Sequence, residues 1–183
     1  DESVDMVIRG EGEYILLDLV DTLENDGNLR EVKGIVYQEE DEKGNKSTII
    51  NEIAHPEPDL DKIPFPAFDL LPMDTHMTTM ITSRGCPMQC SFCSSAAMHG
   101  KFVRERSVKN IVDEIEFLTT HYDIDTIAFM DDTFTLNKQK VMDICDEIMN
   151  RNIKIWWGCT SRVDTLDEEV LQKMKDSGCI TIF

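Results

Sequence analysis

Three cysteines lie within eight residues in Cys86-Pro87-Met88-Gln89-Cys90-Ser91-Phe92-Cys93, spaced C-x-x-x-C-x-x-C. Thiolates are soft ligands, and a set this dense reads as a cradle for a metal or a cluster. Ligand counting separates the options. A structural zinc ion is closed by four ligands, usually in two separated pairs. Here one cluster supplies three, and no second Cys or His pair follows. Iron–sulfur clusters are usually held by four thiolates. Three thiolates on a 4Fe–4S cube leave one iron open to a substrate or cofactor. The bland alternative is a zinc knuckle or a set of buried thiols.

The elements around the loop follow from pattern. Residues 78–82 read as a short strand and Ser83-Arg84-Gly85 as a turn, with Gly85 free to double the chain back and Pro87 stiffening the loop's start. Ser107 is placed to cap a helix whose apolar stripe is Val108, Ile111, Val112, Ile115 and Leu118. Residues 125–130 read as a buried strand ending in Asp131-Asp132. Asn137 caps a second helix with Val141, Ile144, Cys145, Ile148 and Met149 inward. Residues 153–159 form a third strand. Thr165-Leu166-Asp167-Glu168 matches a capping box, with a helix through Lys175, Gly178 as its stop and a fourth strand over 179–183. Strand and helix alternating at this rhythm predict right-handed βαβ units on a parallel sheet. Active sites of such sheets collect at the carboxyl ends of the strands. The cysteine loop, Asp131-Asp132 and Ser161-Arg162 follow three successive strands, so all are expected at one mouth.

Before the loop, residues 4–8 read as a strand, and Ile15, Leu16, Leu19, Val20 and Leu23 recur at helical spacing over 13–24. Residues 34–38 and 47–50 flank an acidic turn and predict a β-hairpin. Pro56, Pro58, Pro64, Pro66 and Pro72 mark an extended, semi-rigid surface linker that carries the domain boundary.

On Cys86, Cys90, Phe92 and Cys93 the sequence resembles the radical S-adenosylmethionine enzymes, whose hallmark is C-x-x-x-C-x-aromatic-C. It is similar in particular to the subgroup with an N-terminal cobalamin-binding domain. The matching stretches are Arg9-Gly10-Glu11-Gly12-Glu13, Ile63-Pro64-Phe65-Pro66-Ala67, Ser83-Arg84-Gly85-Cys86-Pro87, Phe129-Met130-Asp131-Asp132-Thr133-Phe134 and Ser161-Arg162-Val163-Asp164. The resemblance implies a partial TIM-like barrel cut at its fourth strand. It divides the chain into a cobalamin-domain fragment (1–27), a hairpin and linker (28–76) and the start of the radical barrel (77–183). It implies that Cys86, Cys90 and Cys93 hold a 4Fe–4S cluster that cleaves S-adenosylmethionine to a 5′-deoxyadenosyl radical. Phe92 is then expected against adenine, Asp131 or Asp132 at the methionyl ammonium, Arg162 at the methionyl carboxylate, and Ser161 among the cofactor-binding residues. In the full protein the subgroup suggests cobalamin, used for a methyl transfer or a related radical rearrangement. The alternative is a non-catalytic metal or electron-transfer module built on the same loop. Asp74-Thr75-His76 matches the D-x-H of a cobalt-ligand motif, but Thr79 stands where glycine is required.

Composition bounds the rest. At 183 residues with 41% hydrophobic residues, the chain has enough apolar material for a buried core. A net charge of −18 argues against a nucleic-acid footprint, which needs clustered Lys and Arg. No apolar run approaches the ~20 residues of a membrane span, and no signal peptide is visible. Six cysteines, three clustered and three scattered, are no secreted disulfide framework and predict a reducing cytoplasm. Cys145, Cys159 and Cys179 read as small buried hydrophobes. The first residue is Asp, so a piece of a longer protein is expected. Expected partners are a small-molecule or natural-product-like substrate and an electron donor such as flavodoxin or ferredoxin.

Overall fold

The computed structural model describes residues 4–71 and 76–183. The chain divides into two compact units, Asp1–Pro58 and Asp59–Phe183, and the division falls within the proline-rich stretch.

The first unit contains β1 (Met6–Ile8), α1 (Gly12–Glu24), β2 (Ile35–Glu40) and β3 (Lys46–Ile50). The strands form one antiparallel sheet in the order β1-β2-β3, with Ile8 opposite Ile35 and Tyr37 opposite Ile49. The hairpin turn is made by Asp41, whose carboxylate accepts from the backbone amides of Lys43 and Asn45 at 2.8 Å each. Ile15 and Leu19, one turn apart on α1, close a small core with Val32, Ile35 and Tyr37. The strand–helix pair at the amino end and the hairpin therefore share one sheet and one core.

The second unit is a βα repeat. Its elements are β4 (Met77–Met80), β5 (Ser83–Arg84), α2 (Ser95–Met98), β6 (Arg104–Glu105), α3 (Val108–His121), β7 (Thr126–Phe129), α4 (Lys138–Asn150), β8 (Trp156–Cys159), α5 (Glu168–Asp176) and β9 (Cys179–Ile182). The main sheet is parallel throughout, in the order β4-β7-β8-β9. Ser107 and Asn137 cap α3 and α4 as their sequences predict, accepting from the amides of Asn110 and Lys140. The cap of α5 is Asp167, which accepts from the amide of Val170 at 2.9 Å. Thr165, the expected cap, lies in a preceding 3-10 turn, where its hydroxyl donates to the carbonyl of Arg162. Asp167 and Thr165 are both good caps, and the chain's path puts Asp167 at the helix start, two residues beyond the expected box.

Ile111, Ile115 and Leu118 of α3 and Val141, Ile144 and Ile148 of α4 are almost fully buried in one core with Ile127, Phe129 and Trp157 of the sheet. Phe129, Phe134 and Trp157 form an aromatic triangle with centroids 4.8 to 5.6 Å apart. Of the two tryptophans Trp157 is in the core, its indole N–H donating to the carbonyl of Ser177, while Trp156 is exposed. Outside the core Arg151 straps α4 to α3 through Asp113 and Glu116, besides pairing with Glu147 on its own helix. The stretch read as a surface linker is tied down over residues 59–71: Leu60 and Phe68 are buried, Asp61 accepts from the amide of Ser107, and Phe65 lies 6.3 Å from Phe117.

Candidate functional site

The parallel register sets Met80 beside Phe129 and Phe129 beside Cys159, so the carboxyl ends of β4, β7 and β8 are level. Everything that follows these strands emerges on one side. The cysteine loop leaves after β5 and returns through β6, which pair antiparallel with Ser83 opposite Glu105 and Arg84 opposite Arg104. Residues 83–84, read as a turn, are thus one strand of a small ribbon that closes the loop's two ends. The sequence carried no local signal for it, because its partner lies some twenty residues on.

Within the loop Cys86 is half-buried and Cys90 and Cys93 are exposed, all three as free thiols. The amide of Cys93 donates to the carbonyl of Cys90 at 3.1 Å, turning the chain back between them. The amide of Ser95, at the start of α2, donates to Sγ of Cys93 at 3.5 Å. Phe92 is 91% exposed. Among the described residues no three Cys, His, Asp or Glu side chains are gathered closely enough to hold a single metal ion.

The two acids after β7 are not equivalent. Asp131 is 3% exposed, and its carboxylate accepts from the amide of Thr82 at 3.1 Å, its hydroxyl at 2.8 Å and the hydroxyl of Ser83 at 2.5 Å. It fastens the approach to the cysteine loop onto the end of β7. Asp132 is exposed and accepts from the hydroxyl of Ser95, just beyond the loop. After β8 the hydroxyl of Ser161 meets that of buried Thr135 at 2.5 Å. Arg162 makes a two-pronged pair with Asp164 at 2.6 and 2.9 Å. Hydrogen bonds from Arg162 to Asp164 are the main cause of its raised pKa, with a smaller electrostatic contribution from the side of Cys90 and Cys86. Arg162 therefore stands within electrostatic reach of the loop. Ser95 and Thr135, which connect these groups, carried no recognisable sequence signal.

The remaining candidates lie elsewhere. Cys145 and Cys159 are buried, and burial pushes their thiols up to about 11 and about 12. They behave as the small core hydrophobes their positions predicted. Of the D-x-H match, Asp74 and Thr75 lie outside the described residues, as do Pro72 and Met73. His76 is occupied by Asp123, its Nδ1 lying 3.0 Å from the carbonyl and 3.4 Å from the carboxylate.

The electrostatics predict a stability optimum on the acid side of neutrality. Burial raises the pKa of Asp131 and of Glu114, the latter against the opposing Arg106. Folded-state values above the unfolded ones mean stability that is full below about pH 4 and lost as pH rises through the folded values. Asp113, Asp164 and Asp167 are held low by hydrogen bonds from Lys109 and Arg151, Arg162 and Lys138 respectively, and their contribution is lost as pH falls below about 4. Urea unfolding between about pH 2 and 8 should show stability rising as pH is lowered through the folded values of Asp131 and Glu114 toward about 4, then falling below it. A monotonic rise toward pH 8 would contradict this.

The second unit is thus an α/β domain with a parallel βα sheet and a three-cysteine loop at its carboxyl edge. A family profile for the Radical SAM superfamily matches residues 80–183, and the chain belongs to that superfamily. Its chemistry is that of enzymes using a 4Fe–4S cluster and S-adenosylmethionine. The chain is 40% identical over 187 aligned residues to an uncharacterized methyltransferase of Pyrococcus horikoshii, covering 98% of this chain and 39% of that protein. It is 30% identical to the anaerobic magnesium-protoporphyrin IX monomethyl ester cyclase of Rubrivivax gelatinosus, covering 98% of this chain and 34% of the cyclase. Among solved structures it is similar to the cobalamin-dependent S-adenosylmethionine radical enzyme OxsB with aqua-cobalamin and S-adenosylmethionine bound (TM-score 0.75, 25% identity, 97% of this chain and 27% of that one). The radical S-adenosylmethionine methyltransferase TsrM of Kitasatospora setae shares the fold, with TM-score 0.78 at 19% identity over 98% of this chain and 37% of that one. The parallel βα repeat is consistent with a partial TIM-like fold. Among the described residues no helix is long and apolar enough to cross a membrane.

Proposed function

We propose that Cys86, Cys90 and Cys93 hold a 4Fe–4S cluster and that the chain is the cluster-binding part of a cobalamin-dependent radical enzyme. Three free thiols on one short loop at the carboxyl ends of a parallel sheet carry this reading. The donor set suits the group: thiolate is the ligand iron–sulfur clusters take, two of the thiols are open to solvent, and a backbone amide already points at Cys93. The chemistry such a cluster supplies is one-electron cleavage of S-adenosylmethionine to a 5′-deoxyadenosyl radical.

The chain's own residues bind and orient. Arg162 offers a planar donor fork suited to a carboxylate and is assigned to the methionyl carboxylate, exchanging it for Asp164. Ser161 supports that segment through Thr135. Phe92, exposed between two of the cysteines, offers an aromatic face for adenine. Asp132 rather than Asp131 is assigned to the methionyl ammonium, because Asp131 is buried and its oxygens are consumed by Thr82 and Ser83. Asp132→Asn is therefore expected to weaken S-adenosylmethionine binding about 10-fold or more with the fold intact. Asp131→Asn should instead lower thermal stability, since an amide matches those donors poorly. Calorimetric titration of both reconstituted variants checks this, and equal binding losses would reverse the assignment.

Similarity to cobalamin-dependent OxsB and to a methyltransferase supports a cobalamin-dependent methyl transfer or a related radical rearrangement as the reaction of the whole protein. On this reading the unit Asp1–Pro58, in which the strand–helix pair at the amino end shares a sheet and core with the hairpin, carries the end of a cobalamin-binding-like domain, and residues 77–183 are the first part of the radical barrel. A small-molecule or natural-product-like substrate, a flavodoxin- or ferredoxin-like electron donor and a cytoplasmic setting go with it. The test is anaerobic reconstitution with iron and sulfide, followed by electron paramagnetic resonance of the reduced protein. A 4Fe–4S signal that changes on adding S-adenosylmethionine is expected. Zinc bound in preference to iron, or a cluster indifferent to S-adenosylmethionine, would overturn the reading.

A further inference from the structure

We infer that Lys140 is a positioning residue for the cysteine loop: its ammonium, on the first turn of α4, ties the segment entering the loop to the strand leaving it. The inference rests on the reading of that loop as a cluster cradle.

The loop hangs from a ribbon of two residues per strand, β5 and β6. A two-stranded hairpin alone is marginal in water, and this one is far shorter than a typical strand pair. Something outside the ribbon must hold it. Lys140 Nζ donates to the carbonyl of Thr82 at 3.1 Å, immediately before β5, and lies 3.4 Å from the Glu105 carboxylate on β6. Asn137, the cap of the same helix, donates to the other oxygen of Glu105 at 3.2 Å. One helix start thus grips both ends of the loop. Arg106, on α3's side, reaches the carbonyl of Ile81 at 3.0 Å, and its own amide donates to the carbonyl of Thr82.

The setting of Lys140 is not that of a surface lysine. Its side chain is 11% exposed, whereas Lys138 on the same turn is 45% exposed and pairs with Asp167 and Glu169 at the α5 cap. A lysine is rarely buried unless it is paired, because its charge loses hydration. Here its charge answers Glu105 and also Asp131, the acid that holds Thr82 and Ser83. An ammonium with three donors on a flexible stem can serve several acceptors that no single planar group would reach. Without it, Glu105 loses its ammonium partner and the Thr82 carbonyl keeps only the amide of Arg106, whose guanidinium is engaged with Glu114 and Ile81. Glu105 then turns to solvent, the exit strand loosens, and the cysteines lose their common frame.

The test uses the full chain with Lys140→Gln, Lys140→Arg and, as a control for general destabilisation, Arg151→Gln, whose ion pairs join α3 and α4 away from the loop. Amide hydrogen exchange of the iron-free protein is read at Ser83, Glu105 and Arg106. Iron release from the reconstituted protein to an iron chelator is read alongside. Lys140→Gln is expected to speed exchange at these amides and iron release about 10-fold each, with Lys140→Arg restoring part of both. Arg151→Gln should lower the melting temperature and leave local exchange and iron release unchanged. If Lys140→Gln only lowers the melting temperature, as the control does, the inference falls. If it fails to fold, Glu105→Gln is read in its place, with local loosening expected and its absence counting against the inference. A wild-type chain that takes up no cluster would sink the proposed function, while the exchange measurement would still decide the role of Lys140.

Discussion

The substitutions Cys86→Ala, Cys90→Ala and Cys93→Ala are each expected to reduce iron and sulfide incorporation to background and to abolish cleavage of S-adenosylmethionine. On the proposed assignment these three sulfurs are the protein-derived ligands, so losing one would leave a second iron without a protein ligand. Stability tells a different story. Cys90 and Cys93 are exposed and Cys86 is only half-buried, so the iron-free variants should melt close to the wild type, within about 0.5 kcal/mol for the exposed pair. Cys145→Ala and Cys159→Ala invert the pattern. Both thiols are buried, and removing either opens a small core void, costing about 1 kcal/mol or more while iron uptake per folded chain stays unchanged. Iron and sulfide assays with thermal melts on all five variants distinguish the two sets. Full iron incorporation in any of the first three would remove that cysteine from the ligand set.

Gly85→Ala is expected to be nearly as damaging to the cluster without touching a ligand. Gly85 has φ of +94°, a conformation that side chains rarely adopt, and a Cβ built on it would lie 2.4 Å from the carbonyl oxygen of Phe102. That oxygen belongs to the backbone just before β6, so it cannot swing aside as a side chain would. Either the ribbon opens or Gly85 changes conformation, and both displace Cys86 next to it. The backbone strain alone costs about 1–3 kcal/mol. Gly178 provides the comparison, with φ of +104° and a Cβ that would meet the carbonyl of Ile155 at 2.1 Å, between α5 and β9. Gly178→Ala should destabilise the unit at least as much. Its iron content per folded chain should nevertheless remain near wild type, whereas that of Gly85→Ala should fall by more than about half. Circular dichroism, melting and iron assays on both give the answer. Equal iron loss in the two would mean that stability, not loop geometry, governs cluster binding.

How much of this was legible beforehand differs by residue. The family resemblance was readable on the three cysteines because residue type and short spacing are both local properties. The helices α3 and α4 were readable because an apolar stripe and a capping residue are written within one element. The ribbon of β5 and β6 was not, since two residues per strand carry no period and their pairing spans the loop. The choice between Asp131 and Asp132 was equally closed to sequence. Adjacent in the chain, they differ only because the end of β4 comes close enough to bury one of them.

The alternation of strand and helix, the cap-and-stripe pattern of the two long helices and the dense spacing of the thiols are written in the amino-acid sequence. These rest on periodicity and on the intrinsic chemistry of neighbouring residues. Tertiary structure alone decided which polar groups are buried against which others. It turned Asp131 and Lys140 inward at the base of the loop, left Asp132 and Phe92 open at the mouth, and joined Ser161 to buried Thr135. The reason is that burial and charge pairing depend on segments some fifty residues apart meeting across a parallel sheet, and no window along the chain contains both partners.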